Sequence, residues 1–238
     1  MANCARVFLT VGLVLGALAP AGAGEIAHRM LMVDESRHAL RYVDETAPAL
    51  NWELPIGPGF HDVQLIGSNQ AMVSSSWGYS VYDLATRKLV REVKPPGVTS
   101  VYSARRKADG TVLLGANDKQ GVVIFELDGN YLVSGGFAAT FYEFKPDGSV
   151  VSQWQAHMPE GLENHFYGGF RVLKNGHVVV ANWTGHGEQD GKKGWQLIEF
   201  DRAGNVVWKW HDAKLAGSLN SVVAVDDADW TKFQDDGQ

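Results

Sequence analysis

Hairpins of one kind return along this chain, and that return limits the fold more than any other feature. The stretch from Phe166 to Trp210 shows the unit most clearly. Val172–Leu173 precedes the turn Lys174-Asn175-Gly176, and Val178-Val179-Val180 follows it. After a polar loop, Leu197-Ile198-Glu199-Phe200 precedes Arg202-Ala203-Gly204, and Val206-Val207-Trp208 follows. Short runs rich in Val, Ile and aromatics, bounded by Asn-Gly or Ala-Gly, read as antiparallel strands joined by hairpins. Four such strands make one small sheet, which cannot bury its faces alone. Stability therefore requires copies of it.

The copies are present. EFDRAGNVVWKW (Glu199–Trp210) aligns without a gap on EFKPDGSVVSQW (Glu143–Trp154). YDLATRKLVREV (Tyr82–Val93) has the same shape, and VDETAPALNWEL (Val43–Leu54) is a looser version. The other hairpin, RVLKNGHVVVANW (Arg171–Trp183), returns as QLIGSNQAMVSSSW (Gln64–Trp77) and ARRKADGTVLLGAN (Ala104–Asn117). A four-strand unit recurring at about forty residues marks a β-propeller blade. No apolar run shows helical spacing over a useful length. A β-sandwich is the runner-up, but it does not explain why the hairpins return in order.

The chain is therefore expected to be all-β: a single propeller of four-stranded antiparallel blades, about five in number, one of them compressed. The N-terminal unit supplies only three strands, so Ser218–Asp227 is expected to join it and close the ring. Compression falls in segment 120–145. There the repeat anchors Glu126 and Glu143 stand only 17 residues apart. Either two blades share a strand there or half a blade is missing. The unit after Glu143 is long instead, with extra residues at His157–Asn164 and Thr184–Gly194.

Residues 1–23 read as a signal peptide, with Arg6, the apolar run Val7 to Leu18 and the small-residue signal Ala21-Gly22-Ala23. Residues 24–227 form the propeller and 228–238 a polar tail expected to fray. A periplasmic or secreted location follows, with no membrane span after cleavage. The single cysteine, Cys4, leaves with the signal, so the mature chain has no disulfide and no thiol chemistry. The net charge of −6 argues against nucleic acid as a partner.

These hairpins resemble the blades of the quinoprotein-like (PQQ-like) propellers. YDLATRKLV and FDRAGNVVW are similar to that family's third strand, turn and fourth strand. HDVQLIGSNQAMVSSSWG and NGHVVVANWTGHG also resemble exported bacterial propellers without assigned activity. The resemblance implies a fold rather than an activity. Quinoprotein dehydrogenases stack their quinone on a vicinal disulfide, which a chain without mature cysteines cannot form. No cofactor is expected, and quinone chemistry is disfavoured.

First strands of propeller blades line the central channel, so polar residues at their starts converge. His61, Asp62, Tyr102, His165 and Tyr167 hold such positions, as do Ser103, Asn164, Asn220 and Ser221. Trp77 and Trp183 end equivalent second strands, with Asn182 beside the latter. They serve either as wedges between blades or as platforms for a flat ligand such as a sugar ring. The glycine-rich loop after Trp183 carries His186 and reads as a mobile cover or a plain solvated connection. The ligand-facing set is thus His61, Asp62, Trp77, Tyr102, His165, Tyr167, Asn182, Trp183 and His186. His61, His165 and His186 are the candidates for acid–base chemistry. A metal on His61 and His165 is an open alternative without local ligand spacing, and none is assigned. Glu160, Glu163, Asp226, Asp227 and Asp229 read as solvated carboxylates. The function expected is a binding module for a small polar ligand, such as a carbohydrate, or a protein partner. The alternative is a lactonase-like hydrolase or a lyase using the funnel histidines.

Overall fold

A computed structural model describes residues 26–98, 100–116, 124–127, 130–155, 157, 166–226 and 228–233. The expected signal peptide, His165 and the loop carboxylates Glu160 and Glu163 lie outside the described residues. The strands are β1 (Arg29–Asp34), β2 (Ala39–Asp44), β3 (Trp52–Pro55), β4 (Phe60–Gly67), β5 (Gln70–Ser75) and β6 (Gly78–Asp83). Next come β7 (Lys88–Val93), β8 (Val101–Arg106), β9 (Val112–Ala116), β10 (Ile124–Leu127), β11 (Asn130–Ser134) and β12 (Thr140–Phe144). The last are β13 (Val150–Gln155), β14 (Phe166–Val172), β15 (Val178–Trp183), β16 (Leu197–Phe200), β17 (Val206–Trp210) and β18 (Leu219–Ala224).

They form a β-propeller. Four sheets have four antiparallel strands each, in the orders β18-β1-β2-β3, β4-β5-β6-β7, β10-β11-β12-β13 and β14-β15-β16-β17. We call these blades one, two, four and five. Blade three, between the second and third of these sheets, consists of β8 and β9 among the described residues. Among the described residues, this matches the reading of a missing half-blade and not that of a shared strand. Ile124–Leu127 resembles a third strand in sequence, yet it is the innermost strand of blade four. It pairs with β11 through Leu127 opposite Asn130.

Burial falls from the axis outwards, which explains the sequence pattern. β1, β2 and β15 are flanked by blades on both faces, and nearly all their residues are buried. Such strands read as continuous apolar runs. The outer strands β13 and β17 alternate, as strands with one solvated face do. The Asp of each repeated turn has a fixed task. Asp83 accepts hydrogen bonds from the Thr86 N–H and hydroxyl, and Asp201 from the Asn205 side-chain amide and from the Asn205 and Ala203 N–H groups. These contacts close the turn locally and hold both carboxyls below their usual range.

Ring closure follows the expected route. β18 pairs antiparallel with β1, Met32 facing Val222 and Leu31 facing Val223. A charged latch secures the joint. His28 Nδ1 lies 2.5 Å from Asp226 and its Nε2 lies 2.9 Å from Glu199 of blade five. His177 Nδ1 meets the other Glu199 oxygen at 2.6 Å. Asp226 is therefore not a solvated acid, as the tail composition implied. Residues 228–233 also pack instead of fraying. Trp230 meets Tyr42 edge-on at 5.4 Å, and Phe233 bridges to Ile66.

At the axis the innermost strands approach closely. Asp62 forms a bidentate ion pair with Arg105 of blade three and accepts a 2.8 Å hydrogen bond from Ser221 of β18. β14 comes near enough that a Cβ on Gly169 would sit 2.0 Å from Ser221 Oγ and 3.0 Å from Asp62 Oδ1. Glycine is required there by space. Gly169→Ala is expected to lower stability by about 1–3 kcal/mol through overpacking. Urea denaturation measures it, and an unchanged midpoint would show that the strands can separate freely.

The latch makes stability depend on pH. Burial opposes a charge on His28, but hydrogen bonds and attraction from Asp226 and Glu199 outweigh it and raise the imidazole to about 9. The folded value exceeds the unfolded 6.5, so the stabilisation is complete below 6.5 and fades as pH climbs to about 9. Asp226 moves the other way: burial raises it, yet the His28 and Arg29 contacts hold it below its ordinary value. Its share is present above the unfolded 3.8 and is lost in acid. Thermal unfolding should show wild type losing midpoint between pH 6.5 and 9, and His28→Gln losing less over that window. Parallel curves would show that the latch does not contribute.

Candidate functional site

Antiparallel pairing brings the start of each first strand beside the end of the second, as Phe166 opposite Trp183 and Phe60 opposite Ser75 demonstrate. One face of the propeller therefore collects the first-strand starts and the loops between second and third strands. Residues from all five blades meet there.

Glu35 organises this face. It follows β1, and its backbone N–H donates to Ser218 O at 3.0 Å. Its carboxylate accepts a 2.7 Å hydrogen bond from Trp183 Nε1 and lies 2.6 Å from His186 Nδ1, both in blade five. Trp183 also meets His186 edge-on, at 4.6 Å between ring centres, and Phe166 at 5.9 Å. Phe166 in turn contacts Phe137 of blade four, a residue that is 70% exposed. The His186 side chain is exposed, whereas Glu35 is largely covered. The result is a carboxylate held between a Trp and a His, bordered by aromatic rings.

His61 is close by and half-buried. It stacks on Tyr102 of blade three, with ring centres 4.8 Å apart. Its Nδ1 lies 3.1 Å from Asn220 Nδ2, and its Nε2 lies 3.3 Å from Ser76 Oγ. Burial pulls the His61 imidazole below 6.5, while Glu35 and Asp62 pull it up and His186 pushes it down. The imidazole is thus mainly neutral at pH 7, with one acceptor nitrogen. Asp62, one residue deeper, is the acid of the axial ion pair.

The site residues expected from sequence divide into two groups. His61, Tyr102, Trp183 and His186 come together on the face. Trp77 lies on the same side, edge-on to Phe60 and with its Nε1 3.2 Å from Glu92. It packs against the core between blades one and two, so it is the wedge of the two alternatives. Asp62, Tyr167 and Asn182 are buried and do not face outwards. Asp62 is paired with Arg105, Tyr167 sits in the core between blades four and five, and Asn182 donates to Trp195 O at 2.8 Å. Alternation along the strands turns these three inwards. The glycine-rich loop is anchored and does not hang free. Asp190 accepts from the Gly187 N–H, Gly191 is buried, and His211 contacts Gly191 O at 2.9 Å. Among the described residues, no three His, Cys, Asp or Glu side chains are grouped to hold a metal ion.

Glu35, Phe137 and Phe166 escaped the sequence reading. A signal for Glu35 existed, because it follows the second strand of blade one as Trp77 and Trp183 end those of blades two and five.

Comparison with known proteins supports the architecture. No family model and no curated protein matches this sequence. A Bacteroides caccae protein of unknown function shares the fold, with a TM-score of 0.65 at 16% identity over 83% of this chain and 98% of its own. Regucalcin from Agrobacterium tumefaciens, described as a calcium-binding protein, matches with a TM-score of 0.45 at 12% identity over 78% and 74% of the two chains. Likeness at such identities concerns the fold alone. No helix among the described residues is long and apolar enough to cross a membrane.

Glu35→Gln removes the charge that raises His61, so His61 should titrate at lower pH in the variant than in wild type. NMR titration of the imidazole measures this. A rise, or no change, would show that Glu35 does not act on His61.

Proposed function

We propose that this chain is an exported propeller that binds a small polar ligand, such as a carbohydrate, on the face organised by Glu35. The supporting observation is the Glu35–Trp183–His186 group with Asn220 and His61 beside it. Aromatic rings offer flat apolar area with polar edges, and fixed hydrogen-bonding groups read hydroxyl positions. The ring nitrogen of His186 not facing Glu35 is available on an exposed side chain. The net charge of −6 fits neutral or cationic ligands better than polyanions. Export rests on the basic start and the apolar run Val7 to Leu18, and periplasmic or secreted placement belongs to this reading. The hairpin resemblance makes a PQQ-like repeat ancestry part of it, without a quinone.

A second reading is favoured by one contact. The 2.6 Å approach of Glu35 to His186 Nδ1 is the arrangement that orients an imidazole as a general base. A hydrolase acting on lactones would use His186 to activate water, with neutral His61 beside it.

Calorimetric titration with a panel of neutral mono- and oligosaccharides separates the two. Binding should weaken about tenfold or more in Trp183→Ala, a change of about 1.4 kcal/mol. Equal affinity in the variant, or no sugar bound by wild type, would overturn the binding reading. Lactone turnover lost in His186→Ala would favour the enzyme.

A further inference from the structure

Four of the five seams between blades hold a buried apolar cluster, as Leu31 with Val63 and Phe141 with Phe170 illustrate. Among the described residues, the seam between blades three and four holds none. A cleft of about 410 Å³ lies there instead, walled by Leu113, Tyr131, Val133 and Phe144. Leu113 is 54% exposed and Tyr131 39%. On the other side of blade three is a smaller groove of about 190 Å³, lined in part by Tyr79, Val90 and Val112. Val90 is 54% exposed.

Both openings flank the missing half of blade three. Only residues 117–123 join β9 to β10, whereas residues 76–100 join β5 to β8 and contain the two outer strands of blade two. Seven residues cannot supply two further strands with their turns. Among the described residues β9 therefore pairs with β8 alone. Its sequence, VLLGA, contains no charge and no proline. Exposed edges are normally protected by such residues.

We propose that this open sector receives an extended segment of a partner protein, apolar in the middle and acidic at its ends, which pairs with β9 as a third strand. Alternate side chains of an added strand point to opposite faces. One set would enter the cleft beside Tyr131 and Phe144, the other the groove beside Tyr79 and Val90. Main-chain hydrogen bonds to β9 would supply affinity, and the two openings selectivity. Charge selects the ends. Arg106, Lys107 and Lys145 border the cleft and Arg91 the groove, and among the described residues that line the two openings there is no carboxylate. A chain of net charge −6 has thus gathered cations here. A second copy fits poorly, because β9 against β9 would bring two sets of these cations together.

The test uses the full mature protein and a fluorescein-labelled peptide with alternating Val and Tyr in the middle and Glu at both ends. Fluorescence anisotropy should show saturable binding, weakened about tenfold when the ends are Lys. Lys107→Glu combined with Lys145→Glu, both at the surface, should reverse that preference. Hydrogen exchange should slow at the β9 amides on peptide binding and leave the Glu35–Trp183 face unchanged. Equal binding of both peptides, no binding, or slowing confined to other strands would overturn the proposal. So would dimerisation that protects β9 without peptide, seen by sedimentation.

Discussion

The ion pair between Asp62 and Arg105 is the constraint on which the arrangement turns. It sits at the axis, where the inner strands of four blades come within side-chain reach of one another. Asp62 belongs to blade two, Arg105 to blade three, and Ser221, which donates to the acid, to the strand that closes blade one. Gly169 of blade five leaves the space that the group occupies. A charge this deep is stable only while its partners stay in place. The pair therefore fixes the spacing of the inner strands, and with it the positions of the residues one step nearer the face. His61 and Asn220 are the immediate neighbours of Asp62 and Ser221 in sequence.

Much of this was legible in the sequence because strands report their burial. The Val-rich run of β15 and the alternating outer strands have different periods, and the turn motifs lie between them at regular intervals. Closure by Ser218–Asp227 followed from counting strands in the N-terminal unit. Other features were hidden for physical reasons. The sequence of Ile124–Leu127, IFEL, suits an inner or a third strand alike, so its place in a blade is set by its pairing with β11 and not by its composition. Tyr167 and Asn182 look like ligand residues by type, but strand alternation turns them inwards. Asp226 sits among acids in sequence and beside His28 in space, a pairing between residues at opposite ends of the fold.

The candidate face was half legible for the same reason. Position within the repeat was enough to bring His61, Tyr102 and Trp183 to one face, since equivalent positions in different blades meet around the axis. Glu35 carries no motif, and its role comes from contacts across the seam between blades five and one. Its partners Trp183 and His186 lie in the unit that departs most from the repeat by insertion. The added loop is held by contacts of Asp190 and Gly191, and it presents His186 to Glu35.

Closure by β18 has a consequence in time. The inner strand of the first sheet is made nearly two hundred residues after its partner β1. Contacts that far apart in sequence form slowly, since the intervening chain must be ordered first. Blades four and five can collapse from local hairpins, but the axis cannot assemble until residues 219–224 have left the ribosome. Until then the Asp62 carboxylate lacks Ser221 and the β1 edge stays open, so the growing chain has no finished core to commit to.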